Sequence, residues 1–362
     1  MGGEWSGETT PYGPVWEVVD AAAARVAPED MAGVLVALKV AGLLALMGSS
    51  AVLWLLLRDL PENRRAAYVI LWAWNPALLL TFVMDAHNDG LMLLWLLLGA
   101  LAMERKRPVI GLLLVVMAIL TKPIAALALP VFLVSEWRQA GNLQARLRLT
   151  LGTAAGTLLL VGLTFLPWAG RGGWLAGPTA LALRLTREAT AGAGFSPATF
   201  VYFVLQGAGL TVSVQSIGTV FLALFAVFFL LVLWKTWRGQ PAAPGVAGVF
   251  AGYIVQALNF RIWYAAWPFP FLIRNATMEE RDGAAEYWLR VGFWFLLTTQ
   301  LSVVVYSHIR LELLGGSHPL AHLIGVPFTF LLPLLLARWS WWPTSEASVD
   351  EGHLTPSPDP LV

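Results

Sequence analysis

The sequence predicts an all-α, polytopic membrane protein, and three observations predict it. Of the 362 residues, 58% are hydrophobic and only 12% are charged. With a mean hydropathy of +0.69, this composition is far from that of a water-soluble domain. The apolar residues are gathered into long runs, and short charged clusters separate one run from the next. The basic clusters then assign each run a direction, because Lys and Arg collect on the cytoplasmic side of a membrane. The formal net charge is +1 and the chain has no cysteine. The charge balance excludes a nucleic-acid partner held by a global field. The lack of cysteine excludes disulfides, thiolate nucleophiles and Cys-ligated metals.

In chain order, residues 1–30 contain no spanning run, and Glu4, Glu8, Glu17, Asp20, Glu29 and Asp30 stand against Arg25 alone, so this segment reads as an external loop. Met31–Leu57 is long enough to span at about 1.5 Å per residue. It ends in a cytoplasmic stretch with Arg58, Arg64 and Arg65, and Lys39 near its outer end snorkels. Ala66–Met84 returns outward and delivers Asp85-Ala86-His87-Asn88-Asp89 to the outer side.

The next three segments are short. Gly90–Met103 reaches the basic turn Arg105-Lys106-Arg107, Pro108–Leu120 climbs to Thr121-Lys122-Pro123, and Ile124–Ser135 descends to Arg138, Arg146 and Arg148. Helices of this length rise only about 18 to 21 Å against a hydrocarbon core of roughly 30 Å. If their basic ends sit at the cytoplasmic surface, their outer ends stop inside the bilayer, and Asp85–Asp89 and Lys122 share one recessed level. Charge at such depth needs surrounding protein or a water-filled cavity. The competing reading is one kinked span, Pro108–Val134, bent at Pro123.

Leu149–Trp168 then runs outward into a long polar, Gly-rich stretch, Ala169–Pro197, with Arg171, Arg184 and Arg187. Ala198–Val212 reads as re-entrant or interfacial. Ser213–Trp234 goes in to Lys235 and Arg238, Ala242–Leu258 comes out, and Ile262–Ile273 goes in to a charged patch, Arg274–Arg290. Val291–Val305 goes out, His308–His318 lies outside, and Pro319–Leu336 goes in. The expectation is about 11 membrane segments in one domain, 31–338, followed by a flexible cytoplasmic tail, 339–362. No internal repeat divides the chain.

Four motifs in this order resemble the bacterial GT-C glycosyltransferases, especially the polyprenol-phosphate-mannose-dependent α-mannosyltransferases. Thr10-Pro11-Tyr12-Gly13-Pro14-Val15-Trp16 is similar to that family's first external loop. Trp74-Asn75-Pro76 followed by His87-Asn88-Asp89 is similar to its Asn-Pro span and His-Asn-Asp turn. Thr121-Lys122-Pro123 matches its lysine turn, and Trp263-Tyr264-Ala265-Ala266-Trp267-Pro268 its later Trp-Tyr-x-x-Trp element. The resemblance implies a GT-C-like helical fold with short recessed helices. It also implies transfer of a hexose, mannose first, from a polyprenyl-phosphate donor to a lipid or glycan acceptor at the outer face of the cell membrane. Family members begin with a helix and an acidic external loop, whereas Met1 falls inside the resembling loop and no secretion signal opens there. The expectation is a truncated start, with the family's usual catalytic carboxylate upstream of Met1.

Such a reaction needs a carboxylate to accept the acceptor hydroxyl's proton and cations or donors to stabilise the leaving phosphate. Asp89 and Asp85 are the candidates for acid/base or acceptor-orienting work, with His87 and Asn88 as hydrogen-bonding partners. Asp89 has a competing role as N-cap of a helix starting at Gly90. Lys122, within an apolar stretch, needs a paired or hydrated charge, which a lipid phosphate supplies, or else Asp85 or Asp89. Arg261 and Arg187 are further phosphate ligands, or plain solvated charges. Trp263, Tyr264 and Trp267 border substrate by stacking on sugar or lining a lipid groove, or serve as interfacial belt residues, and the first motif of the resemblance adds Tyr12 as a substrate-binding residue. No metal is expected, because Asp85, His87 and Asp89 at alternate loop positions do not converge without a dedicated loop, and no cofactor is expected. Gly170-Arg171-Gly172-Gly173 lacks the ending of a nucleotide loop, which disfavours a nucleotide-sugar donor. The alternatives in other classes are a lipid-linked sugar transporter or flippase and a catalytically silent membrane scaffold.

Overall fold

The structure, a computed structural model, describes residues 10–169, 173, 175–190, 194–278 and 283–339. Arg171, most of the glycine cluster around it, the first residues of the N-terminal loop and the tail beyond 339 lie outside the described residues, as does the Arg187 side chain. Among the described residues every element is helical.

The N-terminal segment, expected as a loop, holds α1 (Pro14–Val26). Proline at its first position gives up no hydrogen bond there, and the alanines that follow are the strongest helix formers. Trp16 and Ala23 are its buried face, packed toward α2 and α6. The first span, α2 (Met31–Leu56), is N-capped by Asp30, whose carboxylate accepts from the Ala32 N–H at 3.0 Å.

The second expected span is broken by Asn75-Pro76. It opens as α3 (Glu62–Ala73) and stops because Pro76 has no N–H to donate. It restarts as α4 (Pro76–Leu78), where Asn75 Oδ1 accepts from the Ala77 N–H at 3.0 Å. A π-helical turn, Leu79–Met84, follows directly.

Next come α5 (Asp89–Glu104) and α6 (Pro108–Thr121), packed tightly as a hairpin. The two backbones touch at Gly99 and Gly111: a Cβ on Gly99 would lie 2.9 Å from the Gly111 carbonyl oxygen. Lys122 leaves α6 in an extended conformation, a 3-10 turn spans Pro123–Leu127, and α7 (Ala128–Gln139) follows. Ser135, Glu136 and Gln139 of α7 line the same cavity as Glu104 and Lys106, at the turn between α5 and α6. The chain therefore turns back at Lys122, and a kinked span carrying α7 to the opposite face is excluded.

The second half contains α8 (Leu143–Phe165) and α9 (Ala176–Thr190). The stretch 169–197, expected as a long polar loop, thus contains a helix; its Ala-Leu-Ala-Leu core favours one, and Arg184 is buried. Then follow α10 (Pro197–Gly207), α11 (Val214–Trp237), α12 (Ala242–Gln256), a 3-10 turn at Ile262–Ala266, and α13 (Phe269–Met278). The helix α14 (Gly283–Val304) begins well before the expected Val291, so Glu286 and Arg290 ride on it. A second π-helical turn, Val305–Ile309, leads into α15 (Arg310–Glu312), α16 (His318–Phe330) and α17 (Leu332–Leu336).

Among the described residues, six helices are long and apolar enough to cross a membrane, and α6 and α12 are shorter apolar helices. On α8 and α11 the exposed residues include Leu158, Leu159, Leu224 and Leu230, each more than 60% accessible. Such apolar faces suit a hydrocarbon solvent. The core runs through the middle of the bundle, with Leu53, Trp72, Phe82, Leu96, Phe250 and Phe269 fully enclosed, and the Trp72 indole N–H donates to Ser49 Oγ at 3.0 Å.

Candidate active site

The end of the π-helical turn, the start of α5 and the end of α6 bring the two polar turns together. That π-helical turn, of a kind often found at functional positions, follows α4. Here the Thr81 carbonyl accepts from the His87 N–H at 3.1 Å, and Gln300 of α14 donates to Thr81 Oγ1 at 2.9 Å. Ala86 sits at φ +53, in the left-handed region that non-glycine residues seldom enter, and this reversal turns His87-Asn88-Asp89 back into the bundle.

Asp89 is fully buried. Its Oδ2 accepts from Lys122 Nζ at 2.7 Å and lies 3.8 Å from His87 Nδ1. Its Oδ1 accepts from the indole N–H of Trp267. The helix starts at Asp89 itself, with Asn88 in the N-cap place and no side-chain cap bond. The capping role expected for Asp89 is therefore corrected: its two oxygens are engaged by a lysine and an indole. A carboxylate in the first turn of a helix still gains from the positive helix end.

Lys122 is 8% exposed and looks onto four aromatic rings. Its Nζ lies 5.6 Å from the ring centre of Trp267, 5.8 Å from those of Tyr12 and Tyr264, and 5.9 Å from that of Trp263. Cation–π attraction operates at about 6 Å or less. The rings are ordered among themselves: Trp263 stacks on His87 at 3.9 Å and Tyr264 on Trp267 at 4.1 Å. Tyr12 is placed by the Gly13 N–H, which donates to the Thr121 carbonyl at 3.0 Å. Only glycine permits this approach, because a Cβ there would lie 2.0 Å from the Leu120 carbonyl oxygen.

Asn88 is buried, and neither its Oδ1 nor its Nδ2 has a hydrogen-bond partner among the described residues. Buried amides are normally satisfied, so this one has an acceptor and two donors to offer a ligand. Asp85 is exposed at the end of the π-helical turn, and Arg261 is exposed just before the second aromatic motif; neither bonds to the Asp89–Lys122 pair. Sequence reasoning left Trp267 between a substrate-bordering and a belt role and missed its bond to Asp89, and it missed Thr81 and Gln300. A spacing of three between Tyr264 and Trp267 in a 3-10 turn, where such residues eclipse, was the available signal for Trp267.

The fold and the cluster define a polytopic helical membrane protein with a buried acid–lysine pair enclosed by aromatic rings. Its first 138 residues match the family model of the MptA_B family, described as alpha-(1->6)-mannopyranosyltransferase, N-terminal domain. The chain is also similar to Alpha-(1->6)-mannopyranosyltransferase A of Corynebacterium glutamicum, at 29% identity over 129 residues, which is 35% of this chain and 26% of that protein. The chain thus matches about a quarter of that relative's length. No solved structure matches. The matched residues contain the first three motifs and both members of the ion pair, and they support the resemblance to GT-C-type mannosyltransferases.

Proposed function

We propose that this protein is a membrane glycosyltransferase that moves a hexose, mannose first, from a polyprenyl-phosphate donor to a lipid or glycan acceptor at the outer face of the cell membrane. The observation that carries the reading is the Lys122–Asp89 pair, buried among Tyr12, Trp263, Tyr264 and Trp267. An ammonium has three donors. One holds Asp89, and the others are available to the oxygens of a phosphate that leaves with the electron pair of the broken bond to the sugar's anomeric carbon. The acceptor hydroxyl forms the new bond at that carbon, and its proton goes to a carboxylate: Asp89, or Asp85 at the exposed edge. His87 and Asn88 hydrogen-bond the sugar, and the aromatic rings stack on its apolar face. Arg261, exposed just before the Trp263-Tyr264 motif, adds a second cation for the phosphate.

The test follows radiolabelled mannose from polyprenyl phosphate into membrane lipid or glycan. Lys122→Ala should lower transfer by about 10² to 10³, the usual effect of losing one preorganised charge stabiliser. Lys122→Arg should restore only part, because a planar fork replaces a compact ammonium. Asp89→Asn should lose transfer without losing the fold. Full transfer by Lys122→Ala and Asp89→Asn would remove these residues from the chemistry. Movement of the donor across the bilayer with no transfer by the wild type would make the protein a transporter.

A further inference from the structure

The end of the bundle opposite the candidate active site holds a second polar feature. The 16 residues of α5 put its two ends about 22 Å apart, with Asp89 at one and Glu104 at the other. Around Glu104 the ends of α2, α5, α7, α12 and α13 leave a cavity of about 360 Å³. Its deeper wall is apolar, with Leu56, Leu97, Phe132 and Phe271. Its mouth carries Arg58, Lys106, Arg274, Glu104 and Glu136. Arg274 is already taken, because its Nε and one terminal nitrogen both donate to Glu104 Oε1, at 3.0 and 2.8 Å. Arg58 has a looser contact, 3.7 Å, with its exposed neighbour Asp59. Lys106 closes no ion pair with a described residue, although it and Glu136 feel each other's charge across the cleft.

The backbone at Lys106 is a second, independent observation. The Lys106 N–H bonds the Met103 carbonyl and the Arg107 N–H bonds the Ala102 carbonyl, both at 2.9 Å. That is the Schellman ending of a helix, whose left-handed residue is ordinarily glycine. Here it is lysine, at φ +60. A long cation stands at this mouth against the local backbone preference.

We propose that this cleft binds the headgroup of an anionic phospholipid, its phosphate against Lys106 and Arg58 and its hydroxyls on Glu136, Ser135 and Gln139. Asp59 is 82% exposed and does not line the cavity; among the side chains that do, with the Arg274–Glu104 pair closed, two cations face one carboxylate, an excess of one positive charge that a phosphoglycerol headgroup balances. Choline offers Glu136 no donor, and ethanolamine would add a second positive charge. The lipid source, as opposed to a soluble phosphate, follows from the apolar wall and from the position. The cleft opens among basic helix ends, where inter-helix pockets meet acidic headgroups of the cytoplasmic leaflet.

The purified full chain in neutral detergent is titrated with dioleoyl-phosphatidylglycerol, -phosphatidylethanolamine or -phosphatidylcholine, and with glycerol 1-phosphate, and the bound species are counted by native mass spectrometry. Phosphatidylglycerol should be retained preferentially. Lys106→Gly should weaken that retention about fivefold, the usual effect of one basic residue beside an anionic headgroup. The same variant should melt higher than the wild type, because glycine adopts φ +60 freely. Arg58→Gln should weaken retention similarly. Equal retention of phosphatidylcholine or phosphatidylethanolamine, unchanged binding by both variants, or glycerol 1-phosphate binding as tightly as the lipid would each overturn the proposal.

Discussion

The aromatic enclosure makes the two members of the Asp89–Lys122 pair unequal, and a double-mutant cycle reads the inequality. Lys122→Met leaves the fully buried Asp89 carboxylate with the Trp267 indole N–H alone. Removing one partner of a buried pair costs about 3–5 kcal/mol, and ring faces, being electron-rich, give an anion nothing. Asp89→Asn leaves the Lys122 ammonium instead, facing four rings at 5.6 to 5.9 Å. Cation–π attraction recovers roughly 1–2 kcal/mol of the loss. Asparagine also still accepts from Trp267. Asp89→Asn should therefore destabilise by about 1–2 kcal/mol less than Lys122→Met. The double variant, with no stranded charge, should cost less than the two singles together, by a coupling on the order of 2–3 kcal/mol. Unfolding free energies from denaturant titration in mixed micelles, followed by circular dichroism, supply all four corners of the cycle. If Asp89→Asn costs as much as Lys122→Met, or if the two effects add, the rings do not hold the cation and the reasoning fails.

Three other changes test parts of the same frame. Trp267→Phe keeps the stacking on Tyr264 and deletes the N–H to Asp89, so it should cost about 1.5–3 kcal/mol, the range for a hydrogen bond to a charged group; a neutral result in the same titration would make Trp267 a packing residue only. Gly13→Ala places a Cβ 2.0 Å from the Leu120 carbonyl oxygen and should release residues 10–13 from the lysine turn, seen as faster proteolysis there with the rest of the fold intact. On α1, burial and then the neighbouring Glu17 carboxylate push the Asp20 carboxyl up to about 6 from its ordinary 3.8. The docked helix thus favours the neutral acid, and its docking should be firmest below about pH 4 and weaken as pH rises through 6. Hydrogen exchange of α1, corrected for intrinsic rate, should show less protection at pH 7.5 than at pH 5, and Asp20→Asn should flatten the difference.

Much of the membrane architecture was legible because hydropathy and charge clusters act over whole segments. The expected first span, Met31–Leu57, differs from α2 by one residue, and the short segments around Lys122 are present as α5, α6 and α7. The sequence left the direction after Lys122 open between a turn and a kink, since a proline permits either. The cavity shared by α7 and Lys106 decides for the turn. What the sequence did not show were partners fixed by tertiary packing. Trp267 lies 178 positions from Asp89; its spacing of three from Tyr264 signals their stacking, but nothing in a Trp-rich apolar chain separates an indole aimed at a carboxylate from one at the lipid interface. Gln300 was hidden for the same reason, as a polar residue inside a span whose acceptor, Thr81, is 219 positions away. The helix within 169–197 was obscured by flanking glycines, whose low helix propensity lowered the average over a segment with a helix-forming middle.

The hairpin of α5 and α6 also bears on how the chain enters a membrane. Asp89 opens one arm and Lys122 closes the other, 33 residues apart. Each, alone at mid-bilayer, would add about 2.5–3.5 kcal/mol to the cost of inserting its helix. Joined, they present the translocation machinery with a pair of arms whose two buried charges cancel at their open ends, away from the basic turn that connects them, and the apolar runs of both arms can partition together. The hairpin, with its glycine contact between Gly99 and Gly111, is thus suited to insertion as one unit before Trp267 has been synthesised. The aromatic half of the enclosure would then close over an ion pair already in place.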